Sequence, residues 1–153
     1  MSVKITSILV PLDGSIIAEQ ALPWALNLAQ LHQAELVLLR VGMRPDVWSV
    51  QDLEHLHAYQ HEQEAHCMEY LRQLESRLKV PLRLEYVSGS PGKSIVARAQ
   101  ELGSSLIVMN SHARDGLSRW LLGSVAEKVS RHASCPVLLV REAEPVAPDA
   151  KEA

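Results

Sequence analysis

Short β-branched or leucine-rich runs alternate along this chain with longer stretches whose apolar residues recur at helical spacing, and this alternation restricts the fold more than any other feature. The runs "ITSILVPL" (Ile5 to Leu12), "ELVLLRV" (Glu35 to Val41), "LRLEYV" (Leu82 to Val87), "SLIVMN" (Ser105 to Asn110) and "PVLLVR" (Pro136 to Arg141) are bounded by turn residues and read as five strands. Between them, Ile17, Ala21, Trp24, Leu28 and Leu31 predict a first helix. Leu53, Leu56, Cys67, Leu71, Leu74 and Leu78 predict a second, Ile95, Ala99 and Leu102 a third, and Val125, Val129 and His132 a fourth. Parallel neighbours in a sheet need a crossover that packs back on it, so the alternation predicts a doubly wound α/β fold, a five-stranded parallel sheet flanked by four helices. The strands show little in-and-out alternation, as expected where helices cover both faces.

With 153 residues there is room for one full core and not for two. The net charge of −3 leaves no basic footprint for nucleic acid. Cys67 and Cys135 lie far apart with no metal-ligand or redox spacing, which suggests a reducing, cytoplasmic setting. No run reaches the roughly 18 apolar residues of a membrane span. The expected domain covers residues 1–141. The tail 142–153 mixes proline, alanine and charge without periodicity and reads as disordered.

Local signals refine the elements. Asp13, Gly14 and Ser15 supply a turn and an N-cap for the first helix, and Gly103 sits where the third should end. Pro23 falls inside the first helix and should bend it. Gly42 to Gln51 reads as a surface loop leading into the long second helix.

In an open parallel sheet, ligands bind beyond the carboxyl ends of the strands where the strand order reverses, because helix N-termini with unpaired N–H groups converge there. Four loops qualify: "PLDGS", "VGMRP", "SGSPGKS" and "NSHARDGLSRWLLGS". A dinucleotide fingerprint needs three glycines after the first strand, where only Gly14 stands. A Walker A loop ending at Lys93 and Ser94 needs glycine at Val87, and Gly89 comes two residues too late. Lys93 and Ser94 instead open the third helix. A receiver-type phosphorylation site needs an aspartate where Ser88 and Gly89 stand. In the fourth loop, Gly123 and Ser124 immediately precede the helix "VAEKVSRHA". Their amides can face an anion, and the Ser124 hydroxyl can cap the helix or donate to an oxyanion, although Gly-Ser is also an ordinary helix cap.

Taken with their spacing, "ILVPLDGS", "SGSPGKSIVARAQ" and "LIVMNSHARDGLSRWLLGSVAEKVSRHASCPVLLV" resemble the universal stress protein family over about Lys4 to Arg141. The resemblance implies strand order 3-2-1-4-5, a stress-response role, a dimer, and a site that binds ATP or a related adenine nucleotide, with or without a divalent cation, in some members and not in others. The ATP-binding members carry G-x2-G-x9-G-[ST] after the fourth strand, which here falls on Asn110, Ala113, Gly123 and Ser124, so half of it matches. By the same resemblance Pro11 and Asp13 would hold the ribose and adenine side, Val41 and Met109 the adenine, and Gly123, Ser124 and Val125 the phosphates. Ser105 replaces the family's usual aspartate before "LIVM", a change that concerns the start of the strand more than the ligand. Glycine in such a loop reaches positive φ or lets phosphate approach the backbone. Asn110 tolerates the left-handed region, whereas Ala113 would lose about 1 to 2 kcal/mol there. If close approach is the need, both side chains crowd the phosphates. Arg114 and Arg119 could compensate in part as phosphate partners.

Three functional readings follow: a nucleotide-binding stress-response module with a partly degraded phosphate loop, a non-ATP-binding dimeric protein-interaction module with an unidentified partner, or at most a slow ATP hydrolase. No catalytic residue is assigned. Asp13 could orient a water or metal near phosphate, or serve only as a turn residue. There is no GxSxG elbow, and Cys135 before Pro136 reads as a structural thiol. His55, His57, His61 and His66 sit near glutamates, and His57 and His61 have i, i+4 spacing, but HExxH fails because His66 is one residue too far. They read as solvent-facing, with no metal site. The last strand, Val137, Leu138, Leu139 and Val140, should lie at a sheet edge. The resemblance places an antiparallel homodimer contact there.

Overall fold

The computed structural model describes residues 2–44, 50–111 and 122–141. Its elements are β1 (Ser7–Leu12), α1 (Ile16–Glu19), α2 (Leu22–His32), β2 (Glu35–Gly42), α3 (Val50–Leu78), β3 (Arg83–Ser88), α4 (Pro91–Glu101), β4 (Leu106–Asn110), α5 (Ser124–His132) and β5 (Val137–Val140). The five strands form one parallel sheet in the order β3-β2-β1-β4-β5. The expected tail and the Ala113 to Arg119 stretch lie outside the described residues, as does part of the expected Gly42 to Gln51 loop, whose first residue closes β2 and whose last lies in α3.

The unpatterned strands are explained by two cores. Ile8, Val10, Leu36 and Leu38 pack with Leu22 and Ala25 of α2 and with Leu71 and Leu74 of α3. Leu9, Val37, Leu39 and Ile107 pack on the other face with Ile95 and Ala99 of α4 and Val129 of α5. All six residues of β1 are buried, as a central strand covered on both sides must be.

The first predicted helix is divided in two. Gln20 and Ala21 close short turns on Ile17 and Ala18, and α2 restarts at Leu22 with Pro23 in its first turn, where a missing N–H leaves no helix carbonyl unpaired. Pro23 therefore begins a helix where it was expected to bend one. The restart also shifts the buried stripe. Leu22 and Ala25 face the core, while Trp24 and Leu31, expected on that stripe, are 58% and 72% exposed. His132, expected inward on the last helix, is exposed as well.

Helix α2 ends on Gln33 at φ 53° and ψ 40°, with the Ala34 amide donating to the Ala29 carbonyl at 2.9 Å. That closure suits glycine, and a side chain in the left-handed region carries a penalty of about 1 kcal/mol. Gln33→Gly is accordingly expected to raise stability by roughly that amount, read as a higher urea midpoint with an unchanged slope. At the opposite, amino-terminal edge of the sheet, the Ser105 hydroxyl accepts from the Thr6 amide at 3.1 Å and lies 3.0 Å from the Thr6 hydroxyl. Ser105 thus pins the start of β1, away from the carboxyl strand ends.

Candidate functional site: a crevice between β1 and β4

The β1/β2 ladder runs its full length, from Ser7 opposite Glu35 to Leu12 opposite Arg40. The β1/β4 ladder stops after Ile8–Leu106 and Leu9–Ile107. β4 nevertheless continues beside β5 to Asn110 opposite Val140. The sheet therefore parts between β1 and β4 toward their carboxyl ends. Pro11, with no N–H to give a ladder, stands in β1 where the parting occurs. This is also where strand order reverses, the position a ligand takes in open α/β sheets.

The β1 side of the crevice is a tightly bonded turn. One Asp13 carboxylate oxygen accepts from the Ser15 amide at 2.9 Å and from the Ser15 hydroxyl, which itself accepts from the Ala18 amide at 3.1 Å. Ser15 is thus the N-cap of α1 and Asp13 its brace. Gly14 between them has φ +87°, a conformation that calls for glycine.

On the β4 side, Asn110 is the last residue of the strand and is not among the described non-glycine residues with positive φ, which are Gln33 and Lys79. Its tolerance of left-handed backbone is thus not needed. Its side chain is buried, and Nδ2 donates to Gln20 Oε1 at 3.0 Å, which ties β4 to the end of α1. Ser111 follows, buried, with its amide donating to the Val140 carbonyl at 3.0 Å.

The Gly123 amide, read from sequence as ligand-facing, donates to the Ser111 carbonyl at 2.9 Å. Gly123 also has φ −59°, within reach of any residue, and no side chain caps the helix. Gly123 therefore anchors α5 to the end of β4. The first helical bond runs from the Glu127 amide to the Gly123 carbonyl at 2.8 Å, so the amides of Ser124, Val125 and Ala126 have no carbonyl one turn earlier in the helix. These three, with Ser124 exposed, are the helix-end donors that an anion could meet. Val41 and Val125 are half-buried, and Met109 is buried in the α4/α5 core. Ala113, Arg114 and Arg119 lie outside the described residues.

Sequence reading missed three contributors: Gln20, Arg40 and Tyr70. Arg40 Nη1 donates to the Leu12 carbonyl at 3.3 Å, and its guanidinium lies over the Tyr70 ring at 5.5 Å. The Tyr70 hydroxyl donates to Glu19 at 2.9 Å. Burial, and then that carboxylate, push the Tyr70 pKa well above its ordinary value. A separate cavity of about 460 Å³ lies between α1 and α3, lined by Glu19, Tyr70, Gln73 and Arg77 among others, and its lining includes none of Pro11, Asp13, Val41, Met109, Ser124 or Val125. Its walls carry helix side chains of both charges, without the helix-end amides that converge at the strand ends.

His55, His57, His61 and His66 are exposed on α3. Among the described residues no group of three or more His, Cys, Asp or Glu side chains could hold a metal ion. Cys67 is buried and Cys135 half-buried, both as free thiols, with burial raising the Cys135 pKa. Among the described residues no helix is long and apolar enough to cross a membrane.

The model of the universal stress protein family matches residues 4–141. The universal stress protein YxiE of Bacillus subtilis is 34% identical over 143 residues, covering 87% of this chain and 97% of that one. Among solved structures, UspA from Lactobacillus plantarum superposes with a TM-score of 0.81 at 29% identity, over 92% of this chain and all of the other. Two more distant structures share the fold. One is a universal stress protein in complex with cAMP (23% identity, TM-score 0.66, 90% of this chain and 97% of that one). The other is a family protein from Arabidopsis thaliana with AMP bound (20% identity, TM-score 0.61, 94% and 97%). With its five-stranded sheet parted between β1 and β4, and with the match running from the first strand through the last, this chain belongs to the universal stress protein family.

Proposed function

We propose that this protein binds an adenine nucleotide in the crevice between β1 and β4 and acts as a ligand-responsive module in the stress response. The observation that carries the reading is the early end of the β1/β4 ladder beside the helix-end amides of Ser124, Val125 and Ala126. The cAMP and AMP complexes of two fold neighbours support the choice of ligand class. In this reading Pro11 and Asp13 flank the ribose, Val41 and Met109 the base, and Ser124 and Val125 the phosphate. Gly123 acts from behind by holding α5 on Ser111. A divalent cation accompanies ATP if the triphosphate binds.

Calorimetric titration with AMP, cAMP and ATP tests the reading. Saturable binding in the micromolar to low millimolar range is expected, and binding should weaken in Asp13→Asn. A folded protein that takes up none of the three at millimolar concentration overturns it. Hydrolysis is a separate question, decided by phosphate release from ATP above that of Ser124→Ala and Asp13→Ala.

A second reading, a dimeric protein-interaction module, is favoured by a different surface. Helix α2 carries no Asp, Glu, Lys or Arg, and it exposes Trp24 and Leu31. The dimer contact belongs to both readings. Among the described residues β5 pairs with β4 alone, and Val137, Leu138 and Leu139 are half-buried on that edge strand. Light scattering at tens of micromolar should give twice the mass of the chain, and a monomeric mass would remove the dimer.

A further inference from the structure

We propose that Arg40 is a positioning residue for the ligand turn, fixing Asp13 through a brace that runs from α3 across Tyr70 to the end of β1; the proposal rests on Asp13 as a ligand contact. Each link is a direct contact. Arg77 pairs with one Glu19 oxygen at 2.7 Å, and the Tyr70 hydroxyl donates to the other at 2.9 Å. The Tyr70 ring carries the Arg40 guanidinium at 5.5 Å, and Arg40 Nη1 donates to the Leu12 carbonyl at 3.3 Å. The guanidinium plane then lies beneath Gly14, with Nη2 3.7 Å from where a Cβ on that glycine would be.

Packing alone gives little reason for a guanidinium here. Arg40 is half-buried, its Nε is buried with no acceptor, and among the described residues it forms no ion pair with a carboxylate. A buried donor without an acceptor opposes folding. What the guanidinium supplies is a flat, cationic support under a turn whose middle residue is a left-handed glycine, the conformationally most permissive residue type. The Asp13–Ser15 bonds hold the turn from within and Arg40 holds it from below. Without that support the Leu12 carbonyl loses its side-chain donor and the Asp13 carboxylate loses a fixed backbone.

Two measurements test the brace, one without ligand. In the unliganded protein, amide hydrogen exchange at Ser15 should be at least tenfold faster in Arg40→Met than in the parent, with the Val10 amide unchanged. Tyr70→Leu should behave likewise. Tyr70→Phe, which keeps the ring and loses only the hydroxyl, should speed Ser15 less. Equal Ser15 exchange in Arg40→Met and the parent overturns the proposal. Arg40→Lys keeps charge without the plane, so it should fall between the two, and it replaces Arg40→Met if that variant fails to fold. In the second measurement, Arg40→Met should lower AMP affinity about tenfold, and the loss should vanish in an Asp13→Asn background. An undiminished loss there shows that Arg40 does not act through Asp13 and also overturns the proposal. If the parent protein binds no AMP, the nucleotide reading falls, and Ser15 exchange alone decides the brace.

Discussion

Leu9→Ala is expected to lower the stability of the protein by about 4 kcal/mol, a large part of the roughly 5 to 15 kcal/mol that holds a typical domain folded. Leu9 is wholly buried in the central strand. Its register neighbours are Val37 on β2 and Ile107 on β4, and Ile107 in turn lies opposite Val137 on β5. The row is roofed by Ile95 and Ala99 of α4 and Val129 of α5. The wall that would have to collapse into the space belongs to three strands locked in register and two helices, so it can relax only in part and most of the cavity persists. Urea denaturation should show a lower midpoint with an unchanged slope. Leu31→Ala, at a site 72% exposed on α2, should change stability by no more than about 0.5 kcal/mol. A loss at Leu9 no larger than at Leu31 would contradict the two-sided core.

Leu9 and Val10 show what sequence could reveal and what it could not. Adjacent residues on a strand point to opposite faces, so a strand apolar at both must be covered on both sides, in agreement with the parallel sheet and helical layers that the alternation of strand and helix patterns predicts. The turn chemistry of Asp13, Gly14 and Ser15 was equally local and equally legible. The division of the first helix was not, because proline can bend a helix or begin one, and which it does here depends on how α1 and α2 pack. At the site, loop positions could be read from strand ends, but hydrogen bonds over 90 residues could not. The Asn110 amide goes to Gln20. The Gly123 amide goes to the Ser111 carbonyl. Arg40 lies near the end of the run "ELVLLRV", and only the register opposite Leu12 and the arrival of Tyr70 from α3 give it a role. The resemblance in sequence carried the Gly123 position across, whereas its contact with Ser111 shows only in the folded chain.

Glu85→Gln should destabilise the protein by about 2 kcal/mol near neutral pH and by almost nothing in strong acid, at the scale of hydrogen bonds to a charged group. The Glu85 side chain is 11% exposed on β3. It accepts from Arg83 Nε at 2.7 Å and from Arg98 Nη2 at 2.5 Å and Nε at 3.1 Å, so it stitches the edge strand to α4. Burial alone would raise its pKa, but the hydrogen bonds and charges of Arg98 and Arg83 outweigh it and hold the folded value below the ordinary 4.5. A carboxyl whose folded pKa is depressed adds stability that is fully present above its unfolded pKa and is lost as pH falls through the folded value. The gap between the parent and Glu85→Gln should therefore be constant from neutral pH down to about 5, narrow below the unfolded pKa of about 4.5 and close once the folded carboxyl is protonated. Removing the charge leaves Arg98 with Glu101, whose side chain is 61% exposed, a pair of the kind that contributes about 0 to 1 kcal/mol. Urea midpoints at pH 7, 5 and 3 measure the effect directly. A difference that persists unchanged at pH 3 would mean that the carboxylate charge is not what stabilises the parent, because a contribution from the charge must shrink below the unfolded pKa.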